Sequence, residues 1–596
     1  MPSRILDPEA VVQRSEDGLK PNYKPLTEKD APEDSSEIKV SKKMVQENGD
    51  AHVDEAAEKM LSNAEGAEVK FISGDRTNGD AKVDVECLQQ VFTGMGKEEL
   101  MKYAKDPFWV RLRWTLFVLF WLLWTAMLVG AIVIVIAAPK CAAPVPKTWW
   151  EEGPLIDIDL SDAAKDESNI FKNLKDIGSN SIVLRIPDNY DLYKDNFTYA
   201  DIRDVIKKAK SENENLHVVL EIQANFVPKE NKMFMASENR DSEYADYFIW
   251  SDGKVGDEPK DKVPNNWKAT VNGSAWNKSD KRNQYYLSQF GDRFADLNFG
   301  NTNVRNIFAE ALENLVNTGI SGIKLRYAKH LLIDETLMDE AFSSAPGFVH
   351  NDYGFYNHLR TSNQAGLGEL VQPWKEIVHN NTESGVFYIA EDIDRNTFEV
   401  DSEIIPQLPS ASKKLIALNR DAYKSQAKDI YTSLKSLDSE TSWPHLHFSS
   451  QNVEDRSEHN ILLMLLPGVP ELSKEQLLGL NNSLVNQSKV LLTARQNPSV
   501  KYGSFNVQLF ANETVVGYSR LKPGNPGLIV LYNTEQDTST VNLEPLLGKV
   551  ESVTVMLLSN KYNEEGVTIK GTLPASTVPI SPRAAILLSY IPASEN

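Results

Sequence analysis

The asparagines that could carry glycans lie in one part of this chain. Seven Asn-x-Ser/Thr sequons occur, at Asn196, Asn272, Asn277, Asn380, Asn481, Asn486 and Asn512, and residues 1–195 contain none. N-glycans are added only on the lumenal side of a membrane. This distribution predicts that the C-terminal part of the chain is an extracellular, glycosylated region.

The chain has only two cysteines, Cys87 and Cys141. Two cysteines cannot form a disulfide framework, so the stability of the fold must come from buried apolar surface. The topology argued below places Cys87 on the reducing side of a membrane and Cys141 on the oxidising side, where an unpaired thiol is unusual. Cys141 is therefore expected to form an intermolecular bond, and a free or palmitoylated thiol is the alternative.

A long apolar run separates these two cysteines. Residues Trp114–Ala138 contain no charged side chain, and at about 1.5 Å per residue they span roughly 37 Å, enough to cross a bilayer. A signal peptide is a poor explanation, because a long polar segment precedes the run. More cations flank the run on its N-terminal side than on its C-terminal side: Lys102, Lys105, Arg111 and Arg113 against Lys140 and Lys147. This bias predicts a cytoplasmic N-terminus and a type II membrane protein.

Charge and composition divide the chain into five segments. The formal net charge is -21, which argues against a nucleic-acid partner because phosphate binding needs clustered cations. Residues 1–107 predict a disordered acidic cytoplasmic tail with a short amphipathic helix at its end. Residues 108–138 predict a transmembrane helix in contact with lipid, and residues 139–150 predict a proline-rich extracellular linker that contains Cys141. The two remaining segments, 151–500 and 501–596, have the patterns of folded domains.

Residues 151–500 alternate short apolar runs with amphipathic stretches. SIVLRI (181–186), HVVLEIQ (217–223), GIKLRYA (322–328) and VFYIAED (386–392) are typical of buried parallel strands, and 202–210 and 304–316 of the helices between them. Repeated βα units predict a (β/α)8 barrel. Residues 501–596 contain closely spaced alternating runs, which predict an antiparallel β domain.

Long motifs in this region resemble the α-glucosidase branch of the α-amylase family. They are SEYADYFIWSDGK (242–254), PNNWKATVNGSAW (264–276) and QYYLSQFGDRFADLNFGNTNVR (284–305). The resemblance implies a TIM barrel with an insertion after strand 3, at about residues 227–300, and a C-terminal antiparallel β-sandwich.

The same resemblance implies that the catalytic apparatus is incomplete. The family's fourth-strand motif, Gly-x-Arg-x-Asp-x-x-Lys-His, is similar to residues 322–330, where Arg326 stands in place of the nucleophilic Asp and Lys324 in place of the Arg. A retaining glycosidase needs a carboxylate nucleophile. A guanidinium cannot attack the sugar, and its charge opposes an oxocarbenium-like transition state.

Other positions of the degenerate hydrolase site also depart from the family. Its seventh-strand Asn-His-Asp corresponds to residues 451–453, where Val453 replaces a sugar-binding Asp, and its third-strand Asn-His corresponds to Asn225 and Phe226. Glu391 matches the general acid, and it is expected to be a hydrogen-bonded residue at a strand end. The resemblance thus implies that the chain has no catalytic residues and is not an enzyme.

The whole arrangement resembles the heavy-chain subunits of heteromeric amino-acid transporters, especially those of the neutral and cationic exchangers. Residues 92–100, 109–114, 138–141 and 149–150 carry this likeness. It implies that Cys141 forms a disulfide with a polytopic light chain, which carries the amino acids. The heavy chain would stabilise that subunit and deliver it to the plasma membrane.

Two other functions remain open, a membrane-bound α-glucosidase and a cell-surface receptor or adhesion protein. No glycine-rich phosphate loop, zinc-ligand spacing or cofactor motif is found, so no cofactor or metal is expected. The carboxylate pair Asp157 and Asp159 is interpreted as a strand–loop feature rather than a calcium site.

Overall fold

The computed structural model describes residues 97–137, 144–165, 169–193, 197–254, 262–407, 427–437, 443–447, 456–478 and 482–592. Cys87, Cys141, Asn196, Asn481 and Val453, with residues 1–96, lie outside the described residues. The chain divides into two units, Met1–Ala138 and Pro139–Asn596.

The described part of the first unit consists of two helices. Helix α1 is Lys97–Ala104 and helix α2 is Pro107–Ala137. Between them Asp106 caps α2, because its carboxylate accepts a hydrogen bond from the backbone N–H of Phe108 at 3.0 Å, and Pro107 suits the first turn of a helix. Helix α2 is, among the described residues, the one that is long and apolar enough to cross a membrane. Helix α1 lies in the segment for which a short helix was predicted, and α2 begins after Asp106.

The second unit contains fourteen strands in its described residues before residue 500. They are β1 (Leu155–Asp159), β2 (Ser181–Arg185), β3 (His217–Gln223), β4 (Phe226–Pro228), β5 (Trp250–Ser251), β6 (Trp276–Ser279), β7 (Gln284–Leu287), β8 (Phe294–Asp296), β9 (Gly322–Arg326), β10 (Val386–Ile389), β11 (Glu399–Val400), β12 (Glu403–Ile404), β13 (His445–His447) and β14 (Val469–Ser473). Seven of them form a parallel sheet in the order β10-β9-β3-β2-β1-β14-β13. The first and last barrel strands are paired, as Leu155 lies opposite Glu471. This is the TIM-barrel-like arrangement that the apolar runs predicted.

Helices alternate with these strands. They are α3 (Trp149–Glu152), α4 (Leu160–Lys165), α5 (Ile170–Ile177), α6 (Ala200–Glu212), α7 (Lys232–Glu238), α8 (Thr302–Val316), α9 (Leu367–Asn381), α10 (Ala427–Lys435), α11 (Arg456–Met464), α12 (Lys474–Leu477), α13 (Asn482–Arg495) and α14 (Pro498–Tyr502). The predicted helices at 202–210 and 304–316 correspond to α6 and α8. The insertion after β3 consists of helix α7 and strands β4 to β8. These strands form two small sheets, separate from the barrel sheet.

The end of the chain forms the predicted antiparallel β domain. Its strands are β15 (Ser504–Phe510), β16 (Val515–Leu521), β17 (Gly527–Asn533), β18 (Ser539–Val541), β19 (Ser552–Leu558), β20 (Thr572–Pro574), β21 (Val578–Ile580) and β22 (Ala585–Tyr590), with a short helix α15 (Glu544–Leu547). Six strands form one sheet, and β18 and β21 form a second. Apolar side chains of both sheets share one core, as expected of a β-sandwich.

The segment before β1 is fixed to the amino ends of the barrel strands. The Trp149 ring stacks on His217 with 4.2 Å between ring centroids, and its Nε1 donates to the Ser384 carbonyl at 2.7 Å. The buried guanidinium of Arg495 donates to the carbonyls of Glu152 and Gly468, both at 2.6 Å. The amino end of the barrel is thus closed by packed side chains, which leaves the carboxyl end as the side where a site could form.

Candidate functional site

Arg326, at the carboxyl end of β9, is held by neighbouring strands. Its Nη1 lies 2.9 Å from Asp188 Oδ1, its Nε lies 3.4 Å from Glu221 Oε1, and its Nη2 donates to the Ile186 carbonyl at 2.7 Å. Strand β9 approaches β10 closely, since a Cβ on Gly322 would lie 2.5 Å from the Val386 carbonyl oxygen. The guanidinium therefore has a fixed position and its charge is balanced.

Lys324 lies two residues earlier on β9 and points into the same interior. It is buried, and its ammonium donates to Glu221 Oε2 on β3 at 2.9 Å and to Glu471 on β14. Burial by itself would lower the pKa of Lys324, but the negative charges of Glu471, Asp157 and Glu221 outweigh it and raise that pKa. Lys324 is thus a cation that joins two strands across the barrel.

Glu471 is the centre of this charged network. Besides Lys324, it accepts hydrogen bonds from His445 Nε2 at 2.5 Å and from the Tyr388 hydroxyl at 3.2 Å. Burial opposes its ionisation, but Lys324 and His445 overcome that effect and hold the pKa of Glu471 well below its usual range. Glu471 is therefore the ionised partner of Lys324.

Asp157, on β1, completes the network on the side of β2. Its Oδ2 accepts from Arg185 Nη2 at 2.8 Å. Burial, and then the charge of Glu471, raise the pKa of Asp157 well above its usual range. Asp157 is mostly buried within the network, whereas the exposed Asp159 lies 3.8 Å from Arg185. Arg185 thus pairs with both carboxylates, and Asp157 belongs to the buried network whereas Asp159 faces solvent.

Two groups of side chains in the described residues are close enough to hold a metal ion. They are His445, His447 and Glu471, and Asp157, Glu221 and Glu471. Both contain Glu471, whose carboxylate already accepts from the Lys324 ammonium. The ammonium supplies the positive charge that a metal would bring, so the residues present fit an internal ion network better than a metal centre.

Glu391 lies just beyond β10 and serves the backbone. Its Oε2 accepts a hydrogen bond from the Tyr327 N–H at 3.0 Å. Burial raises the pKa of Glu391, partly offset by Lys329 and by this hydrogen bond. Tyr327 has a positive φ of 60°, and Glu391 therefore stabilises an unfavourable backbone conformation next to Arg326.

Aromatic rings fill the carboxyl end of β3. Phe226 is buried and lies 4.7 Å from Phe290 and 4.6 Å from Phe294 between ring centroids. Phe290 in turn contacts Tyr327 at 4.7 Å. Asn225 donates to the Tyr327 carbonyl at 3.1 Å. Phe226, which stands in place of the His of the hydrolase motif, thus contributes packing, and Asn225 supports the backbone.

A small cavity opens beside the network. Its volume is about 170 Å³, and its lining includes Asp157, Asp159, Arg185, His447 and Lys474. Lys474 is itself bonded to Asp162. Arg185 pairs with Asp157 at this opening, whereas Asp157 Oδ1 and His447 Nδ1 are buried atoms without a hydrogen-bond partner among the described residues.

The glycosylation sequons that the structure describes lie at the surface. Asn272, Asn380, Asn486 and Asn512 are exposed and Asn277 is half-buried. Asn272 and Asn512 have positive φ angles of 71° and 56°, as is common for asparagine in turns.

Sequence reasoning missed Glu221, Glu471, His445 and Tyr388. Glu221 and Tyr388 stand within runs that were interpreted as buried strands, whereas no strand was predicted around His445 or Glu471. A charged residue at an inward position of a buried strand was the available signal, because such a residue needs a partner in the interior.

Comparisons with known proteins agree with this geometry. Residues 80–156 match the family model "Solute carrier family 3 member 2 N-terminus", and residues 185–402 match "Alpha amylase, catalytic domain". The human amino acid transporter heavy chain SLC3A1 is 26% identical over 459 residues, which cover 69% of this chain and 66% of that protein. Maltase A2 of Drosophila melanogaster is 27% identical over 285 residues, 43% of this chain and 49% of the maltase.

Solved structures show the same fold. The α-glucosyl transfer enzyme XgtA superimposes with a TM-score of 0.59 at 16% identity, covering 75% of this chain and all of that structure. At that identity the likeness concerns the fold alone. Taken with the N-terminal and heavy-chain matches, it identifies the chain as a heavy-chain-like protein with an α-amylase-like domain.

Proposed function

We propose that this chain is the non-catalytic heavy chain of a heteromeric amino-acid transporter. Its function is to bind a polytopic light chain, stabilise it and deliver it to the plasma membrane. The observation that carries the proposal is Arg326, paired with Asp188 and Glu221 where an α-glucosidase would present its nucleophile. The matches to the solute-carrier N-terminus and to SLC3A1 support the transporter role.

The proposed loss of catalysis follows from charge and space. Hydrolysis with retention needs a free carboxylate facing the anomeric carbon and a second one that donates a proton. A fixed guanidinium at the first position repels the positive charge that develops on the sugar. Phe226 and Phe290 pack against Tyr327, the residue that follows Arg326. A membrane-bound α-glucosidase is the second candidate, because maltases also match the barrel.

The proposed topology is type II, with helix α2 in the membrane and the larger unit outside the cell. The flanking cations and the exposed sequons Asn272, Asn380, Asn486 and Asn512 support it. Enzymatic removal of N-glycans should increase gel mobility, and an N-terminal epitope should be detectable only after cells are permeabilised. Detection of that epitope on intact cells would contradict the topology.

Cys141 provides the test for the partner. Cysteine Cα atoms must lie within about 7 Å to form a disulfide, so a bond at this position selects a protein packed closely against the chain. Cys141→Ser should abolish a high-mass band on non-reducing gels yet leave much of the partner's surface delivery intact. Cys87→Ser is the matched control and should keep the band.

The gel also separates the competing functions. A wild-type chain that runs as a monomer after thiol blocking at lysis would refute the covalent partner. A homodimer alone would favour a receptor or adhesion protein. Mass spectrometry of the excised high-mass band identifies the bonded protein directly.

A further inference from the structure

The elbow between α1 and α2, defined as residues 102–113, carries unneutralised positive charge. Lys102, Lys105, Arg111 and Arg113 are all exposed. None of them forms an ion pair with another side chain that the structure describes. Asp106, the acidic residue of this segment, caps helix α2 through the Phe108 N–H. Cations that pair with no carboxylate among the described side chains are available to an external anion.

A hydrogen bond fixes the shape of this elbow. Arg113 Nη2 donates to the Ala104 carbonyl at 2.9 Å, across nine residues. This contact places a guanidinium at the C-terminal end of α1, directly beside Lys105 in the chain. The C-terminal end of a helix carries partial negative charge and favours cations. It therefore offsets the repulsion between Arg113 and Lys105 at this turn.

Large apolar side chains accompany these cations. Leu100, Met101 and Tyr103 of α1 are exposed, as are Phe108 and Trp109 of α2. Aromatic residues at the start of an apolar helix are typical of the interface between hydrocarbon and headgroups. A soluble anion would leave these apolar side chains in water. An anionic lipid covers them with its acyl chains and also supplies the negative charge in its headgroup.

We propose that the elbow binds anionic phospholipid headgroups of the leaflet that surrounds the start of helix α2. This inference rests on the membrane topology proposed above, which places the elbow on the cytoplasmic side, where anionic lipids are abundant. The phosphate and carboxylate of a lipid such as phosphatidylserine accept from Lys105 and Arg113, while Trp109 and Phe108 lie among the upper acyl carbons. Each cation near an anionic membrane surface contributes about fivefold to binding.

The test uses the purified full chain in a neutral detergent. Native mass spectrometry counts adducts during titration with dioctanoyl-phosphatidylserine and, separately, dioctanoyl-phosphatidylcholine. The wild-type chain should bind the serine lipid at least tenfold more tightly. Lys102→Gln with Lys105→Gln should weaken that binding by about fivefold for each cation removed, whereas Lys102→Arg with Lys105→Arg should preserve it.

A control at equal charge change is Lys172→Gln with Lys207→Gln, two exposed lysines of the second unit. This control should bind as the wild type does. Equal affinity for both lipids, or an equal loss in the control, would overturn the proposal. Release of the full chain from membranes by alkaline carbonate would refute the membrane topology itself, and the lipid site with it.

Discussion

The interior of the barrel and the interior of the C-terminal β domain are stabilised by different means. In the barrel, the buried Lys324, Glu221 and Glu471 pair across three strands. In the β domain, one core consists of apolar side chains such as Leu531 and Val555. Both domains bury apolar area, and the barrel adds a set of buried charges whose stability depends on their balance.

This difference shows that the polar interior of a barrel can be satisfied by its own charged side chains, without their replacement by apolar ones. A sugar-binding barrel needs polar groups that face its ligand. Here Lys324 and Arg326 satisfy the interior carboxylates from within the chain. Charges that pair with each other no longer need a ligand, which agrees with the proposed non-catalytic role.

Removal of Lys324 should have the largest effect on stability. Lys324→Met leaves Glu471 buried without its lysine partner, whereas Glu221 keeps Arg185 and Arg326. Loss of one partner of a buried pair costs about 3–5 kcal/mol of unfolding free energy. Urea unfolding of the full chain in detergent, followed by tryptophan fluorescence, measures the loss. The exposed Lys165→Met is the matched control and should change little.

A rescue sharpens that result. Adding Glu471→Gln to Lys324→Met removes the carboxylate that lost its lysine, so most of the loss should be recovered. If the double variant is no more stable than Lys324→Met, the damage came from packing rather than from unpaired charge.

In the β domain, Leu531→Ala should lower the free energy of unfolding by about 2–5 kcal/mol, because it opens a cavity in a well-packed core. This loss should be the same in 0.05 M and 0.5 M salt, since no charge is involved. Urea titrations at both salt concentrations check this. A strong salt dependence of the Leu531→Ala loss would show that the two interiors do not differ as argued.

Asp296, in the insertion, shows what burial does to a carboxylate that has no cation beside it in the described part of the chain, and its effect can be measured as a pH dependence of stability. No cation among the described residues offsets its burial, which raises the pKa of Asp296 to about 7 despite hydrogen bonds from Gln289. The folded state keeps a proton that the unfolded chain releases above its ordinary pKa. Stability therefore falls as pH rises from about 4 to about 7, by about 1.4 kcal/mol for each pH unit.

Asp296→Asn should remove this component of the pH dependence. Unfolding free energies from pH 4 to 8, measured in parallel for both chains, give the difference. Identical pH profiles would mean that Asp296 ionises in the folded state as it does in water.

The sequence predicted the elements of the fold more completely than the contents of the site. Strands such as 217–223 could be read from continuous apolar runs, because burial on both faces selects such residues. Register and inward direction depend on pairing between distant segments, so neither the contact of Lys324 with Glu471, 147 residues apart, nor the central role of Glu471 could be foreseen. The weak alternation of short strands such as β18 and β21 also left them unpredicted.

The smallest expected effect is on catalysis. Arg326→Asp restores a carboxylate at the position that resembles the hydrolase nucleophile, yet we expect no turnover of aryl α-glucosides above a mock preparation. The new carboxylate would lie near Asp188 and Glu221, which now pair with Arg326, so their mutual repulsion favours protonation of one of them over nucleophilic attack. The family resemblance also implies that Val453 replaces a sugar-binding Asp, and Glu391 accepts a hydrogen bond from the Tyr327 N–H. Release of nitrophenol from the wild type, Arg326→Asp and Arg326→Asp with Glu391→Gln decides the matter. Turnover that the Glu391→Gln change abolishes would show that the barrel still contains a working general acid and would favour the α-glucosidase function.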